Sequence, residues 1–198
     1  MESIVHTYTI QWVGPFLSYE ELKEHCKNGR CKNRGKEATC SDPGLFSFYF
    51  FSGNKKWKRE RKFAYFGMHT GKKSITDRLN KSHEHFKKFH NNKNLQIWIG
   101  SFANDVYQED WIIDFVETIF INRYKIELND NKNKKAKPFE IAVKQSFVIV
   151  NLWYDTNEKP YRGRNLVPFE DVITYEVDTQ RLLTGVLHKK RLEQQDNW

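Results

Sequence analysis

Cysteine is scarce in this chain: there are three in 198 residues. An odd, small number suits a reducing cytoplasm rather than a disulfide framework. Long hydrophobic runs are missing as well. The longest fall far short of the roughly 20 apolar residues that a membrane span needs. The opening, MESIVHTYTIQW, has no basic segment followed by an apolar one, so no secretory signal is expected and the chain reads as cytoplasmic, with no membrane partner. There is no internal repeat, and no low-complexity segment beyond lysine-rich loops, which excludes solenoids and fibrous arrays.

What is present points to a packed domain that favours polyanions. Aromatic residues make up 15% of the chain, which argues for a core rather than disorder. At this length the chain can support that core without staples. The formal charge is +8 and the pI about 9.3. Such an excess favours nucleic acid through counterion release; the plainer alternative is a soluble basic surface.

Along the chain, residues 3–13 alternate β-formers with polar residues and read as a strand. Ser18, with Glu21 three residues on, is a capping-box start to a short helix. Residues 26–43 read as a polar loop. Residues 45–51, LFSFYFF, and 63–67 are two strands joined by a long basic connection. Ser74 to about His90 reads as one helix, 95–102 as a third strand, and 109–126 as a long, largely buried helix. Residues 129–138 are a basic loop, 146–153 another strand, and Val172–Gln195 a helical end.

Three local motifs carry chemistry. The stretch Phe63–Leu79, FAYFGMHTGKKSITDRL, looks like a phosphate cradle, but Gly67 and Gly71 are separated by three residues where a Walker loop needs four. His25, Cys26, Cys31 and Cys40 could form a tetrahedral zinc site; their spacing contains no C-x2-C pair, so unrelated thiols are the better reading. Glu117 lies in DFVETIFIN, with Ile113, Phe120 and Ile121 as its helical neighbours. A carboxylate there is costly unless paired. Its partner is either a basic side chain or a divalent cation at a cleft edge. Arg78 is similarly either a solvated residue or a fork aimed at phosphate.

Taken in order, these pieces resemble the GIY-YIG nuclease superfamily over residues 43–135. Gly44-Leu45-Phe46 looks like its first motif, Tyr65-Phe66-Gly67 its second, Arg78 its helix arginine and Glu117 its metal-binding glutamate. Asn129, twelve residues later, is at a separation typical of the family. The resemblance implies an α+β fold: a small, mainly antiparallel three-stranded sheet flanked by helices. Residues 43–138 would be the catalytic core, with 1–42 and 139–198 as elaborations of one compact domain. It also implies metal-dependent hydrolysis of a DNA phosphodiester, with Mg²⁺ or Mn²⁺ on Glu117, Arg78 on the scissile phosphate, and Tyr65 activating water with help from Lys73. Asn129 would orient Glu117 or a nearby backbone group. The family's histidine one turn after the arginine falls on Ser82, with His83 one residue late. Double-stranded DNA would lie against Lys55, Lys56, Lys58, Arg59, Arg61, Lys72, Lys132, Lys134 and Lys135. A restriction-type endonuclease is the favoured member, and cutting both strands with one site per chain implies a homodimer. The alternatives are a non-catalytic binder on a degenerated scaffold and a repair or mobile-element nicking enzyme. Ser47-Phe48-Tyr49 is a second candidate for the first motif. The two registers differ by three residues and so face opposite ways. The Gly44 register is preferred because its Gly matches; it sends Tyr49 to the far face and leaves Tyr65 without a second tyrosine.

Overall fold

The computed structural model describes residues 5–27, 47–54, 61–70, 74–80, 83–87, 94–103, 109–124, 126, 128–129, 146–161, 167–179 and 181–187, with the backbone alone for 54, 61–63 and 86. Strand β1 (His6–Phe16) leads into helix α1 (Tyr19–Lys27). Ser18 Oγ accepts from the Glu21 N–H at 3.0 Å, and Glu21 Oε2 reaches back to the Leu17 N–H at 2.6 Å. These bonds occupy donors that the first helical turn leaves over. Strands β2 (Phe48–Asn54) and β3 (Arg61–Met68) follow, then two single helical turns, α2 (Ile75–Arg78) and α3 (Glu84–Lys87). Strand β4 (Gln96–Phe102), helix α4 (Asp110–Tyr124) and strands β5 (Phe147–Tyr154), β6 (Val172–Glu176) and β7 (Arg181–Gly185) complete the order.

The seven strands form one sheet in the order β3-β2-β4-β1-β5-β6-β7, curled into a half-barrel. This corrects the expected small three-stranded sheet flanked by helices. The antiparallel trio β3-β2-β4 exists, but it is one end of a mixed sheet. β1 lies against β4 antiparallel, with Trp12 opposite Gly100, and against β5 parallel, with Trp12 opposite Trp153. The flanking segments therefore continue the sheet instead of decorating it. Of the expected helical end, residues 172–176 and 181–185 are strands, and residues 188–195 lie outside the described residues. β6 buries alternate residues, Ile173 and Tyr175, in the two-residue period of a strand.

The single helix expected over 74–90 is also divided. Ser74 caps α2, accepting from the Asp77 N–H. Asn80 then donates its side-chain amide to the Asp77 carbonyl at 2.8 Å. Asn competes in this way for carbonyls that a continuing helix would use. The chain leaves the helix at Leu79 and His83 precedes a new turn.

Alternation along the strands sorts the core onto two faces. Phe48, Phe50, Phe66, Trp98 and Trp12 pack with α4 on one face. Tyr49, Phe51, Ile97 and Ile99 pack with Leu22 of α1 and with Ile75 and Leu79 on the other. Of the eight buried residues of α4, seven are apolar and the eighth is Glu117. Each buried Ile or Phe is worth about 1.5–3 kcal/mol. Together they hold the helix against the sheet despite the cost of a buried carboxylate. Among the described residues, no helix is long and apolar enough to cross a membrane.

Candidate active site

The hairpin register fixes which tyrosines meet. Tyr49 pairs with Gly67 and Phe51 with Tyr65. Directly opposed residues share a face of the sheet, so Tyr49 and Tyr65 lie on the same one. Their ring centroids are 6.0 Å apart. This overturns the register that sent Tyr49 to the far face; residues 44–46, on which that register was built, lie outside the described residues. Gly67 is what admits Tyr49. A Cβ at position 67 would stand 2.3 Å from the Tyr49 ring, closer than any real contact. Tyr49 is completely buried, so its ring has no room to give.

Three further side chains singled out by resemblance gather at this tyrosine pair. The Tyr49 hydroxyl lies 3.1 Å from His83 Nε2. Arg78 and Tyr65 lie close enough to bear on its ionisation. Glu117, buried on α4, is close enough for its charge to act on both phenols. Because the helix ends at Leu79, the helical-turn spacing that pointed to Ser82 does not apply, and His83 reaches the tyrosine from the following turn.

Burial is the main cause of raised values for both phenols. For Tyr49, the Arg78 charge and the hydrogen bonds from Arg78 and Tyr65 oppose the rise, while the Glu117 charge adds to it. For Tyr65, the Tyr49 and Glu117 charges and the bond to Tyr49 all add to the rise, and only Arg78 opposes it. Both phenols are therefore protonated at neutral pH, and the Arg78 charge favours the anion of each. Burial, with Arg78 and His85 nearby, lowers the His83 value to about 4, so His83 is neutral at pH 7. Neutral His83 can accept the Tyr49 proton at Nε2 when its own proton sits on Nδ1.

Asn129 holds the strand rather than the carboxylate. Its Oδ1 accepts from the Phe66 N–H at 3.0 Å, and its Nδ2 donates to the Phe66 carbonyl at 2.7 Å. β3 is an edge of the sheet, and Asn129 stands in for the missing neighbour. Asn129→Ala leaves both buried backbone groups unpaired. It should cost about 2–4 kcal/mol of stability, read from urea unfolding midpoints. A cost below about 0.5 kcal/mol would show that the pairing contributes nothing.

The remaining expected residues fall outside the tyrosine cluster or outside the described residues. Lys73 lies outside, as do Lys55, Lys56, Lys58, Arg59, Lys72, Lys132, Lys134 and Lys135 and the side chain of Arg61. Of the zinc candidates, His25 and Cys26 are buried beneath the sheet, while Cys31 and Cys40 lie outside. Burial pushes the Cys26 thiol up to about 12, away from the thiolate that zinc needs. One residue was missed altogether: His85 stacks on Tyr65 at 4.3 Å. The alternation His83-Glu84-His85, directly after the arginine segment, was the available signal. No protein-family model, curated protein or solved structure matches the chain.

Proposed function

We propose that this protein is a metal-dependent DNA endonuclease of the GIY-YIG kind, with Tyr49 as the first-motif tyrosine. The observation that carries the reading is the tyrosine pair on one sheet face, with His83 on the Tyr49 hydroxyl and the Arg78 and Glu117 charges within reach. The motive for a non-catalytic scaffold was a missing first tyrosine, a role that this reading gives to Tyr49.

In this mechanism Tyr49 takes a proton from the attacking water and passes its own to neutral His83. The Tyr65 hydroxyl and Arg78 stabilise the charge that grows on the Tyr49 oxygen. Arg78, exposed at the end of α2, also presents its guanidinium to the scissile phosphate. Glu117 is a single buried carboxylate, which fits Mg²⁺ or Mn²⁺ bound through one protein oxygen plus water and substrate phosphate. Such an ion would supply Lewis-acid stabilisation of the phosphate and the leaving oxygen. Glu117 would hold it, and that binding would relieve the upward push of the carboxylate on both phenols. Asn129 keeps β3, and with it Tyr65, in register.

The substrate in this reading is double-stranded DNA, held without sequence readout by the basic segments 55–62 and 132–137. A restriction-type enzyme acting as a homodimer is the finer form of the proposal. Supercoiled plasmid incubated with pure protein should be converted to nicked or linear form in Mg²⁺ and remain intact in EDTA. Intact plasmid under both conditions, across plasmids of varied sequence, would refute the reading.

A further inference from the structure

We propose that His85 is a positioning residue that clamps the Tyr65 ring at the angle from which its hydroxyl reaches Tyr49. Tyr65 sits on an edge strand and is only partly buried, so the sheet supports its ring less fully than it supports Tyr49. Two rings make up the difference. Phe51, its cross-strand partner, stacks at 5.1 Å and 27°. His85 stacks at 4.3 Å and 19°, the closer and flatter of the two contacts. His83 meets the same ring edge-on at 5.7 Å and 69°. One short turn thus serves both phenols, with His83 on the Tyr49 oxygen and His85 on the Tyr65 face.

The consequence follows from the direction of the Tyr65 O–H. In the proposed mechanism Tyr65 supports the Tyr49 oxygen only while that O–H points at it. The phenol oxygen lies on the ring's rotation axis and stays in place when the ring turns, but its O–H favours the ring plane, so an unclamped ring spends part of its time with the proton misaimed. A stacked pair carries a free energy equivalent to about a 2- to 10-fold change in an equilibrium. Loss of the clamp should lower the cleavage rate by about that factor, in kcat and not in KM, because substrate binding does not use the contact.

The catalytic part of this inference rests on the nuclease reading, whereas the clamp itself can be measured without it. The test uses the full chain with ring-labelled tyrosine, and Tyr65→Phe identifies the Tyr65 resonances. In His85→Gln, which keeps polarity and loses the ring, the Tyr65 signals should lose their stacking shift and its ring flips should quicken about 2- to 10-fold. His85→Phe should restore both, and should restore kcat to within about twofold. If His85→Gln fails to fold, His85→Leu takes its place, with apolar volume and no flat ring. Unchanged Tyr65 signals in the ring-less variant would overturn the clamp, as would failure of His85→Phe to restore them. A wild-type protein that cuts no DNA would refute the nuclease reading and leave the ring signals to decide the clamp alone.

Discussion

Tyr49→Phe is expected to lower the rate of duplex cleavage by about 10²- to 10⁴-fold, the loss that follows removal of a general base. The change deletes one oxygen from a ring that is wholly buried, so packing is kept. It removes the atom on which Arg78, Tyr65 and His83 converge. Tyr65→Phe removes only one donor to that oxygen. It should cost less, about 10- to 10²-fold, the range for a hydrogen bond to a charged group. The ordering separates two mechanisms. If Tyr65→Phe is dead and Tyr49→Phe is active, the proton-accepting phenol is Tyr65 and the role proposed for Tyr49 is wrong. Equal rates for both variants and wild type would remove tyrosine from the mechanism.

Glu117→Gln should abolish cleavage, by about 10³-fold or more, while duplex affinity and fold stay intact. Its shape is conserved, and the Gln amide keeps a hydrogen-bonding group at that buried position. Stability by urea unfolding should therefore change by less than about 1 kcal/mol. A structural ion pair would give the opposite pattern: normal cleavage with a stability loss of about 3–5 kcal/mol, the cost of stranding the other partner. Activity and stability measured on the same preparation tell the two roles apart.

Local pattern was enough for several elements. The capping box of Ser18 and Glu21, the apolar circumference of α4 and the aromatic run Phe48–Phe51 of β2 all announce themselves within a few residues. Sheet neighbours do not. That β1 lies between β4 and β5 depends on pairings across about 90 and 140 positions, which no local periodicity records. The last two strands were misread because a short stretch such as RLLTG serves either geometry until its partner is known.

The candidate site was legible in its members and illegible in its register. Arg78, Glu117, Tyr65 and His83 were each named, and the structure brings them together. Tyr49 was sent to the far face because a matching Gly44 outweighed the hairpin pairing that puts it beside Tyr65. The deciding residue is Gly67, whose bare Cα leaves the space that the Tyr49 ring fills. Asn80 has the same kind of effect at a distance. By ending α2 it makes helical-turn counting fail and lets His83 and His85 face the two phenols.

The Mg²⁺ dependence of single-turnover cleavage, compared among wild type, Tyr49→Phe and Glu117→Gln, bears most directly on the proposed site. A saturating rise in rate for the wild type is expected. Tyr49→Phe should show the same Mg²⁺ midpoint at a far lower plateau, and Glu117→Gln no Mg²⁺ response, with duplex affinity equal in all three. Cleavage by the wild type in EDTA, or a wild-type Mg²⁺ response in Glu117→Gln, would contradict the assignment of these residues to a metal-dependent nuclease site.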